Sequence, residues 1–490
     1  MKISIKNLGP ISAFDFDLSK DFNVIFGKNN IGKSYAITAI YLIIKNLTSE
    51  NFNRNSFEMD YFYFRRQEGN KEDLKRRSPF FKLVDEYETE ILKNTKSNKE
   101  ELEITKEIED LFKRIITQAI IENLEKSFTN SFSSIETLSN RFTKKPLTIE
   151  LFYKDFQFCI STNNNNNLII SDLKFYKPIY LKPINSNRQP KISDDKIVMF
   201  LNKKNSRLDI FGDVLIRFYS SFKNELISVI NNIYFLPASR SGLYQALSTF
   251  SAVIAELSKS RNFLSNRIEL PNISEPVSDY FLYLSNISTK INKTFSAIVS
   301  EIEKDILKGQ VLFNKETKKI VFSPSNLDME LDLSFTSSMI SEIAPIVAYL
   351  KYIINLKDDS RMSFYIREVK PVDRYNIIFI EEPEAHLHPE IQVKLLEIFC
   401  NLLNLKVKII MTSHSNYMFN KLSNLILDNQ IAYEKVGSYL MKATELGSII
   451  DTISMKAEED GIKDENFAKI AEMLYEERIN IYDKLNNQNN

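Results

Sequence analysis

DFNVIFGKNNIGKSYAITAIYLI, residues 21–43, is the stretch on which the fold turns. An apolar strand, Val24 to Phe26, runs into Gly27-x4-Gly32-Lys33-Ser34, and an apolar helix follows from Tyr35. Strand, glycine loop and helix in that order are the setting in which this spacing cradles a phosphate. Glycines let the backbone curl so that successive N–H groups face one anion, and the helix N-terminus adds its positive end. Lys33 brings a point charge to the terminal phosphates, and Ser34 offers a hydroxyl to Mg²⁺. The phosphate-contacting set is therefore Gly27, Lys28, Asn29, Asn30, Ile31, Gly32, Lys33, Ser34 and Tyr35. Lys33 is expected to be an exposed loop side chain that packs against little, so that its removal leaves the fold intact.

A phosphate loop needs a second strand ending in acids that hold Mg²⁺ and orient water. Asn376 to Ile380 is a short apolar run suited to a buried parallel strand, with Glu381 and Glu382 at its carboxyl end. That is where open α/β sheets place their chemistry. Glu381 falls on the Mg²⁺ side and Glu382 is the candidate base for the attacking water. The run continues as FIEEPEAHLHPE, residues 379–390, which holds two of the chain's three histidines. Zinc is the competing reading, but it requires three or four tetrahedral ligands. His386 and His388 supply two at most, and Cys159 and Cys400 are distant in sequence. A purely structural role for the two histidines stays open. The third histidine, His414, ends another apolar run, Lys406 to Ser413, one helix after the acid pair. That helix, Pro389 to Leu405, carries Ile391, Val393, Leu395, Leu396, Ile398 and Phe399 as a covered face. The layout suits an imidazole that donates a hydrogen bond to a γ-phosphate.

Composition bounds the rest. At 490 residues the chain is too long for one ordinary core. Lys+Arg and Asp+Glu stand at 64 each, which argues against a uniformly basic nucleic-acid coat. Two distant cysteines fit a reducing cytosol. The start, MKISIKNLGPI, alternates like a strand and has no signal-peptide apolar block. No apolar run reaches the ~18–20 residues of a membrane helix. A cytoplasmic protein with no membrane partner is expected.

Taken together, Ile5 to Ile11 (IKNLGPI), the phosphate loop, Leu236 to Leu243 (LPASRSGL), Ser337 to Pro345 (SSMISEIAP), the EEPEAHLHP block and the TSHS strand end resemble an ABC-type ATPase. The resemblance is to the OLD and SMC/RecF-like group, within the bacterial AAA ATPases often found in anti-phage systems. It implies an α/β fold, a P-loop NTPase of ABC type with a β-rich N-terminal subdomain and a mostly helical insertion. It also implies an ATP and Mg²⁺ site shared between two chains, with Glu382 as catalytic base, His414 on the γ-phosphate, and Ser34 and Glu381 at the metal. Glu384 to Pro389 would be the D-loop at the dimer seam. Ser337 and Ser338, opening a helix, would cap the γ-phosphate of the partner's ATP with orphan N–H groups and dipole. Met339 stands where the group's signature carries glycine, and Glu381 where Asp is usual.

The resemblance divides the chain into a first ATPase part over 1–50, inserted helical and β segments over 51–230, and a helical arm with a hairpin over 231–330. A second ATPase part follows over 331–430, then a helical tail over 431–490 that is strand-like before it turns helical. Residues 78–130 read as charged helix, 146–184 as strands with a hairpin tip at Asn163–Asn167, and 312–322 as a hairpin. Helical pattern over 244–308 is broken at Pro271 and Pro276. Two function classes compete. One is a nucleotide-gated dimer or oligomer that serves as sensor and scaffold of a defence system, working with a separate nuclease or toxin effector. The other is a RecF/SMC-like repair ATPase acting on DNA, so a nucleic-acid partner stays open. OLD nucleases carry a Toprim domain that this chain is expected to lack. The tail acids Asp451, Glu458, Asp460 and Asp464 do not form an Asp-x-Asp pair at a strand end, so no intrinsic nuclease is expected.

Overall fold

The computed structural model describes residues 1–48, 101–104, 106–153, 156–184, 191–193, 195–202, 229–246, 273–287, 291–354, 374–451, 455–463 and 467–488. The expected charged helical segment therefore lies partly outside the described residues, as does Pro271.

Eleven strands form one sheet. In chain order they are β1 (Lys2–Leu8), β2 (Ile11–Asp17), β3 (Phe22–Gly27), β4 (Thr148–Tyr153), β5 (Phe156–Thr162), β6 (Leu168–Phe175), β7 (Ile230–Leu236), β8 (Tyr375–Glu381), β9 (Val407–Ser413), β10 (Val436–Thr444) and β11 (Gly447–Asp451). Across the sheet they run β7-β8-β9-β3-β10-β11-β2-β1-β4-β5-β6. The first five are mutually parallel. From β2 outward every pairing is antiparallel. The parallel half is buried on both faces, so its strands are continuous apolar runs. The antiparallel half alternates, as in the burial pattern of Phe156–Thr162. This is the α/β architecture with a β-rich N-terminal part.

Successive residues of a strand serve opposite faces. On β3, Ile25 joins one apolar core while Phe22, Val24 and Phe26 join the other. On β8, Ile377 and Phe379 join the first core, and Ile378 and Ile380 the second. The first core is closed by α1 (Lys33–Thr48) and by α2 (Lys106–Phe132). The second is closed by α3 (Glu275–Ser285), α4 (Ser338–Ala348), α5 (Pro389–Leu403) and α6 (Asn416–Leu427). On α5 the buried residues are Leu395, Leu396, Ile398, Phe399 and Leu402.

Two hairpins fall where the turn residues put them. Asn163–Asn167 separates β5 from β6, the Asn163 carboxamide accepting from the Asn165 and Asn167 N–H groups at 2.9 and 3.0 Å. Gly309–Asn314 pairs antiparallel with Lys319–Pro324. Pro276 sits in the first turn of α3, where its missing N–H has no intrahelical partner to lose, so the interruption of the helical pattern there is the start of a helix. The tail over 431–490 is strand first and helix afterwards. β10 and β11 occupy its first part and complete the central sheet, so the ATPase part runs past 430, and helix α7 (Phe467–Gln488) follows.

Candidate functional site

The loop after β3 is a tight cradle. Gly27 and Gly32 have φ of 152° and 93°, and Asn30 has 61°. Gly32 has no room for a side chain, since a Cβ there would lie 2.8 Å from the Pro10 ring. At Gly27 it would lie 2.3 Å from Ile31 Cδ1. Ile31 itself is buried against the first core, so only its backbone faces the cradle. Tyr35 packs its ring 5.1 Å from that of Phe132, leaving its backbone at the helix start. Lys28, Asn29, Asn30, Ser34 and Tyr35 line the exposed lip.

Lys33 departs from expectation. It is 5% exposed, not a free loop side chain, because its stem folds beneath the loop at the first residue of α1. Its Nζ donates to the Gly27 carbonyl at 3.1 Å and the Lys28 carbonyl at 2.8 Å, and lies 3.5 Å from His414 Nδ1. Burial lowers its pKa to about 8, against the pull of Glu382 and Glu384, which favour the charged form.

The acids converge on the same point. His414 Nε2 lies 3.3 Å from Glu382 Oε1. A ring protonated on Nε2 donates to that carboxylate while Nδ1 faces the Lys33 ammonium. The hydrogen bond from His414 is the main cause that holds the Glu382 carboxyl below its ordinary range, with the charges of His414 and Lys33 adding to it. Burial pushes the Glu381 carboxyl up, opposed by hydrogen bonds from the Ser34 hydroxyl and the Ala238 N–H, the latter at 3.5 Å. A hydroxyl and a carboxylate meeting in this way form a hard oxygen donor set of the kind Mg²⁺ takes. Glu384, also raised by burial, accepts from the His414 backbone N–H and so anchors the strand-end turn.

The structure thus brings Gly27 to Tyr35, Glu381, Glu382, Glu384 and His414 to one place. It does not bring His386 and His388 there as a metal pair. His388 Nδ1 accepts the Glu390 N–H at 3.4 Å and caps α5, while His386 has φ of 59°. Among the described residues no group of three or more His, Cys, Asp or Glu side chains could hold a metal ion. Ser337 and Ser338 keep to their own helix. The Ser337 hydroxyl accepts from the Ile340 N–H at 3.4 Å, and both serines are exposed at the start of α4. Met339 packs its side chain toward the second core, which leaves that helix end uncovered.

Sequence reasoning singled out LPASRSGL but gave Arg240 no role. Arg240 is fully buried, and it donates to the carbonyls of Pro237, Glu381, Glu382 and Glu342 at 2.8–3.3 Å. Its one available signal was an arginine four residues past an apolar strand.

A phosphate cradle, an acid pair on the adjoining strand and a strand-end histidine within this sheet make the fold that of an ABC-type P-loop ATPase. Residues 1–419 match the AAA ATPase domain family, and the chain belongs to that family. Three solved structures are similar over most of their length. The SMC head bound to the C-winged helix domain of ScpA shares 11% identity over 92% of this chain and 96% of that one, with a TM-score of 0.36. The SMC head domain from Thermotoga maritima shares 10% over 92% and 97%, with a TM-score of 0.35. The Pyrococcus furiosus Smc head with an extended coiled coil, bound to the C-terminal domain of ScpA, shares 11% over 97% and 98%, with a TM-score of 0.35. No curated protein matches the chain. Among the described residues no helix is long and apolar enough to cross a membrane.

Proposed function

We propose that the chain binds Mg·ATP at Gly27 to Tyr35 and hydrolyses it as a nucleotide-gated dimer. The observation that carries this reading is the contact set of Lys33, His414 and Glu382 at the mouth of the cradle. ATP enters with its terminal phosphate between Lys33 and His414, and the ammonium turns from the Gly27 and Lys28 carbonyls toward phosphate oxygens. Glu382, kept ionised by its neighbours, accepts the proton of the attacking water, and the His414 Nε2–H turns from Glu382 to donate to the γ-phosphate. Ser34 and Glu381 would hold Mg²⁺, which when bound would neutralise phosphate charge. The exposed start of α4 supplies orphan N–H groups to the ATP of a second copy.

The test is Glu382→Gln in the full chain. It is expected to bind ATP, fail to hydrolyse it and accumulate as an ATP-dependent dimer or larger species in size measurement. Wild-type turnover by that variant would remove the assignment.

The reading extends to a sensor or scaffold that works with a separate nuclease or toxin chain. Formal charge balance and a longest described helix of 27 residues support it over the alternative of DNA-end work. Two of the tail acids are engaged by lysines, Asp451 by Lys442 and Glu458 by Lys456 and Lys463. Purified protein with Mg²⁺ or Mn²⁺ is therefore expected to leave DNA and RNA intact. Cleavage that disappears on mutating these acids overturns this part.

A further inference from the structure

Arg240 heads the largest side chains that are fully buried among the described residues. It follows β7, and the Tyr280 hydroxyl holds its own carbonyl at 3.4 Å. Its Nη1 donates to the Glu381 carbonyl at 2.8 Å and the Pro237 carbonyl at 3.1 Å, and its Nη2 donates to the Glu382 carbonyl at 3.3 Å. Its Nε donates to the Glu342 carbonyl at 3.2 Å. Glu342, 1% exposed, also places Oε2 3.2 Å from Nη2, an ion pair whose angle falls short of a hydrogen bond. Its Oε1 accepts from the Ser241 hydroxyl at 2.7 Å and more weakly from the Ser241 N–H at 3.3 Å.

These contacts matter because of the backbone they hold. Glu382 has φ of 43°, in the left-handed region. A non-glycine residue stays there only where its surroundings over-determine it. Its N–H is held by the Thr412 carbonyl at 3.2 Å and hydroxyl at 3.3 Å. Its carbonyl, and that of the residue before it, are held by Arg240. The same guanidinium grips α4 at Glu342, four residues and about one turn beyond Ser338. Packing alone does not call for this arrangement, since an apolar pair commonly fills such a space with no loss of stability.

We propose that Arg240 is a positioning residue that sets the backbone of Glu382 and couples it to the helix opened by Ser337 and Ser338. Engagement of that helix end by a second copy then adjusts hydrolysis at Glu382 of the same chain. The inference rests on the function proposed above, with Glu382 as base.

The test uses the full chain in five forms: wild type, Arg240→Lys, Arg240→Met with Glu342→Met, Glu342→Gln, and Glu382→Gln. For each, fluorescent-ATP titration, hydrolysis per bound ATP across a range of protein concentrations, and thermal melting are measured. A lysine cannot reach four acceptors, so Arg240→Lys is expected to bind ATP normally and hydrolyse about 100-fold more slowly. The double variant leaves no unpaired buried charge and is expected to melt near wild type, yet stay as slow as Arg240→Lys. Glu342→Gln is expected to lose the rise in hydrolysis per bound ATP that dimerisation gives the wild type. A double variant that regains hydrolysis along with stability, or Arg240→Lys with wild-type hydrolysis, overturns the proposal. So does Glu342→Gln with an unaltered concentration dependence, including where the Arg240 variants do not fold. Glu382→Gln separates the two readings. If it is silent while the Arg240 variants stay active, only this inference fails; if it turns over like wild type, the site assignment itself fails.

Discussion

The end of β8 and the start of α4 are each expected to meet a triphosphate, the first that of its own chain and the second that of another copy, yet they are built in opposite ways. At the end of β8 nearly every polar group is already engaged: Glu381 with Ser34 and Ala238, Glu382 with His414, and both backbone carbonyls with Arg240. At the start of α4, Ser337 and Ser338 are exposed and Phe335 beside them is 82% exposed. One half-site is preorganised within the chain, and the other presents an exposed helix end, capped only by its own Ser337, with an apolar neighbour. A surface of that kind is what an association partner covers. Under the proposed function, the difference lets one chain set up the chemistry while the second contact surface is left for another molecule.

Mutations can break this contrast. The largest effect is expected from Glu382→Gln, with turnover falling about 10³-fold and ATP affinity retained, checked by single-turnover hydrolysis and equilibrium titration. Next comes Lys33→Ala, which is expected to weaken ATP binding about 100-fold, or ~2.7 kcal/mol. Its melting temperature should stay near wild type, because water replaces the ammonium at the Gly27 and Lys28 carbonyls; calorimetry with and without ATP checks both. Ser338→Arg sharpens the contrast from the other side. A cation at the positive end of α4 is unfavourable, so ATP-dependent association and hydrolysis are expected to fall about tenfold while each isolated chain binds ATP normally. Light scattering alongside the titration separates these effects. The smallest change is Ser337→Ala, which removes the α4 cap and is expected to cost about 1 kcal/mol of stability in denaturant unfolding. Ser337→Asp is expected to restore it.

Much of the in-chain site was legible because its signals are local. Two glycines at a fixed spacing between apolar runs specify the cradle, and an apolar run ending in Glu381-Glu382 specifies a buried strand with acids at its tip. What was missed depends on distance or depth. Nothing in the sequence shows that the stem of Lys33 folds under its own loop, so its burial was not foreseen. Arg240 was hardest to read. Its acceptors are mainly backbone carbonyls, which every residue carries, and Glu342, Glu381 and Glu382 lie 102 to 142 residues away.

The position of β3 in the sheet has a consequence for synthesis. Its neighbours on either side are β9 and β10, Val407–Ser413 and Val436–Thr444, although β3 itself ends at Gly27. All six residues of β3 are buried in the finished protein. On a ribosome adding about 5–20 residues per second, this apolar strand and the loop behind it wait roughly 20–80 s for both neighbours. β1 and β2 can zip together almost as soon as they emerge. The nascent chain must therefore carry this apolar strand without its sheet neighbours until residues 407–444 have been made, and chaperones or the exit-site environment have to keep it from mispairing.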